Sequence, residues 1–332
     1  GDDARKRARM EAQTAASMAT REEVARRLAA ADELGEEANT LDEAGMKRLV
    51  LSFEKRVTEN LKMRAKFGDQ PQRFLDSEIE LFAQLKKLHA LATSPSLIPA
   101  FVQSRSLTTV LSLLTHENAD IAMEVVDLLA ELTDADLLTE LAELASANVL
   151  VDSLLEEGGP SLLVDMLYRL KEEVPEEAET THKILNIAEN MLETDPKRVA
   201  EMFLRKTELV QWLLLRIKAR SFDANKLYAS EVLSILLQGS PAVQKAIGEG
   251  NGLDHLLLAL SAYKRKDPSS LEEAELIENL NDCVCSCLLQ PDNQTVFLKA
   301  EGVELMVLAL RDGRYASRCA LKALDYALAR NA

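Results

Sequence analysis

The chain has 332 residues, 47% hydrophobic but only 4% aromatic, with 12 glycines and 9 prolines, a helix-rich and turn-poor balance. Its formal net charge of −16 argues against a generic nucleic-acid binder, whose affinity rests on neutralising phosphates, and suits a basic partner or simply keeps the chain soluble. No apolar run approaches the ~18 residues that span a bilayer, and no run alternates well enough to predict a strand.

In chain order, residues 1–39 read as a charged, partly disordered segment in which only Val24, Leu28 and Leu34 are spaced helically. Arg5, Lys6, Arg7 and Arg9 have the density of a nuclear-localisation patch, or are a solvated charge run. No secretory leader follows Gly1, and a start at Gly rather than Met points to a native N-terminus further upstream. Residues 40–94 are expected to form a helical cap. Thr40 to Glu43 reads as a capping box opening a helix through Met46, Leu49, Val50, Phe53 and Val57. Pro71 suits the first turn of the next helix, which carries Phe74 to Leu88, runs to about Thr93 and is stopped by Ser94-Pro95.

Residues 95–332 read as armadillo-like repeats. Leu107, Val110, Leu111 and Leu114 share one helical face, and Asn118 is placed to cap a second helix that buries Ala122, Val125, Leu128, Leu129 and Leu132. Neither helix can bury its stripe alone, so the pair needs copies of itself. Leucine-rich helices indeed start again at Gly159, Thr207, Gly252 and Gly302, at intervals of 53, 48, 45 and 50 residues. A longer helix follows each of them. An all-helical period of roughly 40–50 residues predicts an all-α, right-handed solenoid of armadillo or HEAT type, with two helices per repeat. Leu137 to Glu157 is compatible with one long helix or two short ones. The chain stops after an apolar helix with no polar capping repeat, so the solenoid reads as truncated at its C-terminus.

Chemistry-bearing residues are sparse. Cys283, Cys285 and Cys287 recur at two-residue spacing within one helix, where neighbours cannot adopt disulfide geometry, and no Cys/His set offers four zinc ligands. They are expected to be reduced core residues, with no metal and no cofactor. His89, His116, His182 and His255 are scattered, with no nucleophile at motif spacing. Gly248, Gly250 and Gly252 lack the preceding strand of a phosphate loop and read as an interhelical turn. Asn293 to Thr295 matches a glycosylation acceptor that means nothing without a secretory signal, and Trp212 reads most simply as core, with stacking in a groove as the alternative. An enzyme is therefore not expected.

The long second helices usually line the inner face of such a stack. Glu124, Asp127 and Glu131 lie on one stripe of the first. Asn186, Glu189, Asn190 and Glu193 occupy the matching stripe of the next, followed by Asn225 and Glu231 and then by Glu278, Asn279 and Asp282. Asparagines can hold an extended peptide backbone and carboxylates its Lys and Arg side chains. Solvated faces of acidic proteins carry such residues too.

The run from Leu41 to Phe67, the segment Met123 to Asp136 and above all FDANKLY (Phe222 to Tyr228) resemble the beta-catenin-like protein 1 family, over roughly Leu41 to Ala329. In FDANKLY, Asp223 is placed to cap a helix, with Phe222 and Leu227 spaced as a hydrophobic staple. The resemblance implies a nuclear, non-enzymatic armadillo scaffold in pre-mRNA splicing. It also implies partners with basic, nuclear-localisation-type segments among splicing factors of the nineteen complex, and the antibody-diversifying deaminase of vertebrates. Neither nucleic acid nor membrane is expected as a direct partner. The alternative is a nuclear transport adaptor for basic signals; against it, such adaptors repeat Trp and Asn on successive groove helices, and this chain has one Trp.

Overall fold

The computed structural model describes residues 41–134 and 141–329; side chains of 141–144 are not among those described. Every regular element among them is helical, with no strand. They form two compact units, divided between Leu97 and Ile98.

The first unit pairs α1 (Glu43–Phe67) with α2 (Leu75–Leu88). Met46, Val50, Phe53 and Val57 recur at three- and four-residue spacing on α1 and are buried, as are Leu81, Leu85 and Leu88 of α2. Polar cross-links set an antiparallel register. Asn60 donates to Ser77 Oγ at 3.0 Å, Gln84 donates to the Leu49 carbonyl at 3.4 Å, and Arg64 pairs with Glu78. The cap of α1 is not the expected capping box: Asp42 Oδ1 accepts from the Gly45 N–H at 2.6 Å, while Thr40 lies outside the described residues. Pro71–Arg73 forms a separate 3₁₀ turn before α2, which ends at Leu88 and tightens into a 3₁₀ turn over His89–Leu91. The helix is thus shorter at both ends than expected.

The second unit is an armadillo-type stack of three-helix repeats. Its helices are α3 (Ile98–Gln103), α4 (Ser106–Ser112), α5 (Ala119–Thr133), α6 (Leu141–Glu156), α7 (Gly159–Leu167) and α8 (Pro175–Thr194). Then come α9 (Pro196–Lys206), α10 (Leu209–Ile217), α11 (Ala224–Gly239), α12 (Pro241–Glu249), α13 (Gly252–Ser261) and α14 (Leu271–Leu288). The last are α15 (Pro291–Lys299), α16 (Gly302–Asp312) and α17 (Ala316–Leu328). The third helices α5, α8, α11, α14 and α17 stack in one row, each on the next. The second helices α10, α13 and α16, and the first helices α9, α12 and α15, stack likewise.

Two helices per repeat is therefore corrected to three. The overlooked α9, α12 and α15 each begin with a proline, which suits the first turn because its missing N–H has no intrahelical partner there. They are short, and few apolar side chains reach the core from them: Val199, Ala200 and Phe203 on α9, Val243 and Ile247 on α12, and Phe297 on α15. The turn into each second helix is tight. At Gly302 an added Cβ would lie 2.4 Å from the Phe297 ring, so only glycine lets α15 fold back against α16. Of the segment left open as one or two helices, the described residues form one helix from Leu141 to Glu156.

Candidate peptide-binding site

The row of third helices carries the residues expected to line a groove. It begins with a well-formed cap: Asn118 Oδ1 accepts from the Asp120 N–H at 3.0 Å, as the sequence predicts. On α5, Glu124 is buried, Asp127 is half-buried and Glu131 is exposed. Lys183 of α8 reaches Asp127 at 3.0 Å and Glu179 at 2.8 Å. Burial raises the Asp127 carboxyl above its ordinary value, while Lys183 pulls the other way.

The asparagines knit the row together. Asn190 donates to Thr133 Oγ1 of α5 at 3.4 Å and to Asn186 Oδ1 at 3.3 Å. Asn186 donates to the Tyr228 hydroxyl of α11 at 3.2 Å, and that hydroxyl donates in turn to Glu189. Burial, followed by the hydrogen bond to Glu189, pushes the Tyr228 phenol up. Asn225 is buried beneath this layer, where its Nδ2 donates to Glu172 at 2.8 Å and to the Ala178 carbonyl at 2.9 Å. His182 lies 3.2 Å from Asn225 Oδ1 and tilts against the Tyr228 ring with 4.6 Å between centroids. Asn279 of α14 donates to Ser230 Oγ of α11 at 3.3 Å. Tyr315 donates to Glu278 at 2.5 Å, and Lys322 of α17 donates to Asp282 at 2.6 Å. Glu193 is exposed near the end of α8.

FDANKLY acquires a structural meaning here. Asp223 caps α11 by accepting from the Lys226 N–H at 2.9 Å, and also takes Arg216 at 2.5 Å. Arg216 grips Glu172 through two bonds of 2.8 and 3.1 Å. Lys226, buried, donates to the Ala219 carbonyl at 2.6 Å. The segment is a junction between α10, α11 and the loop before α8, so its asparagine is a clamp rather than a displayed amide.

Three carboxylates remain on successive helices: Glu189 of α8, Glu231 of α11 and Glu275 of α14. Among the described residues none has a cationic side chain within 4.0 Å. Burial first, then the charges of Glu189 and Glu275, hold the Glu231 carboxyl above its ordinary value. Sequence spacing missed Glu275, although it sits one turn before Glu278 and Asn279. It also missed Tyr228, His182, Lys183 and Lys322, whose roles depend on the neighbouring repeat.

The remaining candidates fall elsewhere. Arg5, Lys6, Arg7 and Arg9 lie outside the described residues. Trp212 is 8% exposed and belongs to the core of α10. Cys283, Cys285 and Cys287 are free and buried where α14 packs between α11 and α17. Burial pushes their thiols up, that of Cys285 to about 12. Among the described residues no three His, Cys, Asp or Glu side chains converge as metal ligands. No single described helix is long and apolar enough to cross a membrane. Asn293, of the apparent glycosylation acceptor, is 2% exposed and donates to the Gln244 and Cys287 carbonyls.

The family model described as "Catenin-beta-like, Arm-motif containing nuclear" matches residues 22–332. Beta-catenin-like protein 1 of Mus musculus is 46% identical over 289 residues, covering 87% of this chain and 51% of the mouse protein. The beta-catenin-like protein 1 homolog of Schizosaccharomyces pombe is 35% identical over 298 residues, covering 89% of this chain and 52% of the yeast protein. The chain thus spans about half the length of these relatives. An engineered protein of known crystal structure shares the fold at a TM-score of 0.54 and 16% identity, over 82% of this chain and 96% of that one. The chain belongs to the catenin-beta-like, Arm-motif containing nuclear family.

Proposed function

We propose that this chain is a non-enzymatic armadillo scaffold whose row of third helices holds a Lys/Arg-rich segment of a protein partner. Its place is the nucleus, with spliceosome-associated factors as partners in pre-mRNA splicing. The observation that carries the reading is the triplet Glu189, Glu231 and Glu275, one on each of three successive third helices and, among the described residues, none within 4.0 Å of a cationic side chain. Packed helices lie about 8–10 Å apart and an extended chain advances about 3.3 Å per residue. Basic side chains about three residues apart along a peptide therefore match the three carboxylates. Lys183 and Lys322 already occupy Asp127 and Asp282 at the two ends of this stretch, which leaves its middle for the partner. Asn186 and Glu193 flank the triplet at the edge.

The test is fluorescence anisotropy with a Lys/Arg-rich peptide. Glu231→Lys with Glu275→Lys turns attraction into repulsion at two positions and is expected to weaken binding by at least about tenfold. Reversal of the exposed Asp165 and Glu304, on second helices, serves as the control. Equal loss in both double variants, or in neither, overturns the site. Capture from nuclear extract tests the wider role: transport receptors in place of splicing factors would overturn it.

A further inference from the structure

The first unit has a charge character unlike the rest. Residues 41–97 carry ten Lys and Arg against eight Asp and Glu, whereas residues 98–332 carry twenty-two against thirty-eight. The excess is concentrated on one face of α1. Met46, Val50, Phe53, Val57 and Asn60 form its buried stripe. Arg48, Lys55, Lys62 and Lys66 follow the opposite, exposed stripe, because seven- and four-residue steps nearly close whole turns of 3.6 residues. Among the described residues none of these four cations has a carboxylate within 4.0 Å. Lys47 and Arg56, just off the stripe, are paired with Glu43 and Glu59. One large aliphatic side chain, Leu51, lies beside the stripe between Arg48 and Lys55 at 70% exposure.

We propose that this face of α1 docks an acidic, amphipathic helix of a partner protein, lying along α1. The argument rests on charge and period together. Arg48, Lys55 and Lys62 repeat every seven residues, about 10.5 Å along the axis, the repeat at which a second helix presents one stripe of its own side chains. Carboxylates at heptad spacing meet these cations in register. Leu51 between the charges then gains burial against the partner's apolar seam. A nucleic-acid strand gives it no such burial, and its phosphates need no seven-residue period, so a helix fits this surface better than a polyanion of uniform charge. The site is independent of the acidic row on the third helices.

Anisotropy tests this with three labelled probes. They are a helical peptide of about three heptads with Glu and Leu on one stripe, its scramble of equal composition, and an oligouridylate of about 20 nucleotides. The helical peptide is expected to bind more tightly than both others. Lys55→Glu with Lys62→Glu should weaken it by about tenfold or more, and Leu51→Ser by several-fold, whereas Glu231→Lys with Glu275→Lys leaves it unchanged. Should the reversal variant fail to fold by circular dichroism, Lys55→Gln with Lys62→Gln and Leu51→Ser decide the matter. Equal binding of the scramble, tighter binding of the RNA, insensitivity to these substitutions, or no peptide binding at all would each overturn the proposal.

Discussion

Individual side chains show why burial and hydrogen bonding outweigh formal charge in this molecule. Asn225 is 7% exposed and satisfies both Glu172 and the Ala178 carbonyl. Asn225→Ala removes both bonds of a buried side chain, while Glu172 keeps Arg216, and should cost about 1–2 kcal/mol in urea unfolding, the range for hydrogen bonds lost at a buried site. Asn186→Ala, at a half-exposed position, should cost clearly less. Glu273 offers a pH counterpart. It accepts from the Ser269 hydroxyl and N–H, from Tyr263 at 3.0 Å and from Lys266 at 3.3 Å. The Ser269 bonds, ahead of those from Tyr263 and Lys266 and against burial, hold its carboxyl down to about 2. An acid whose folded pKa is depressed stabilises the fold above its unfolded value and loses that contribution as pH falls towards the folded one. The melting temperatures of wild type and Glu273→Gln should therefore differ most above about pH 4.5 and converge towards pH 2. A constant difference across that range would contradict the assignment. From sequence, Glu273 looks like one more exposed acidic residue at a helix start; only the fold of the preceding loop turns Ser269 and Tyr263 onto it.

The helices divide by how much of their length faces the core. Third helices, buried from both sides, carry enough apolar residues for their periodicity to stand out, as in Val125 to Leu132. The first helices α9, α12 and α15 are short, meet the core through one to three apolar residues each and pass for loops. Their packing is nonetheless tight. At Gly248, near the end of α12, an added Cβ would lie 1.7 Å from Asn293 Oδ1 of α15, while at Gly250 the nearest atom is the Ala246 carbonyl oxygen at 3.5 Å. Gly248→Ala should then destabilise by about 2 kcal/mol or more through overpacking, and Gly250→Ala should change little. Chemical denaturation of the two variants checks the contrast. Nothing in the glycine triplet itself distinguishes the two positions, because Asn293 comes from the following repeat.

Across the molecule, the excess of acidic residues lies mainly in the repeats, at thirty-eight Asp and Glu against twenty-two Lys and Arg in residues 98–332. Like charges on stacked helices repel, and added salt screens them over a Debye length of about 10 Å at 0.1 M. The melting temperature should rise as salt increases from low ionic strength to about 0.3 M, followed by scanning fluorimetry. A fall would mean that pairs such as Lys183 with Asp127 outweigh the repulsion.

What the chain determines by itself is local. Helix identity, the caps at Asn118 and Asp223, and the apolar stripes that require stacking rest on spacings within one or two turns, where spacing in sequence is spacing in space. Which carboxylates stay open is decided elsewhere. Asp127, Asp282 and Glu231 look alike along the chain. Lys183 and Lys322 engage the first two from the next repeat, whereas Glu231 faces Glu189 and Glu275. These partners lie 40 to 56 residues apart, and only the register of one repeat on the next brings them together.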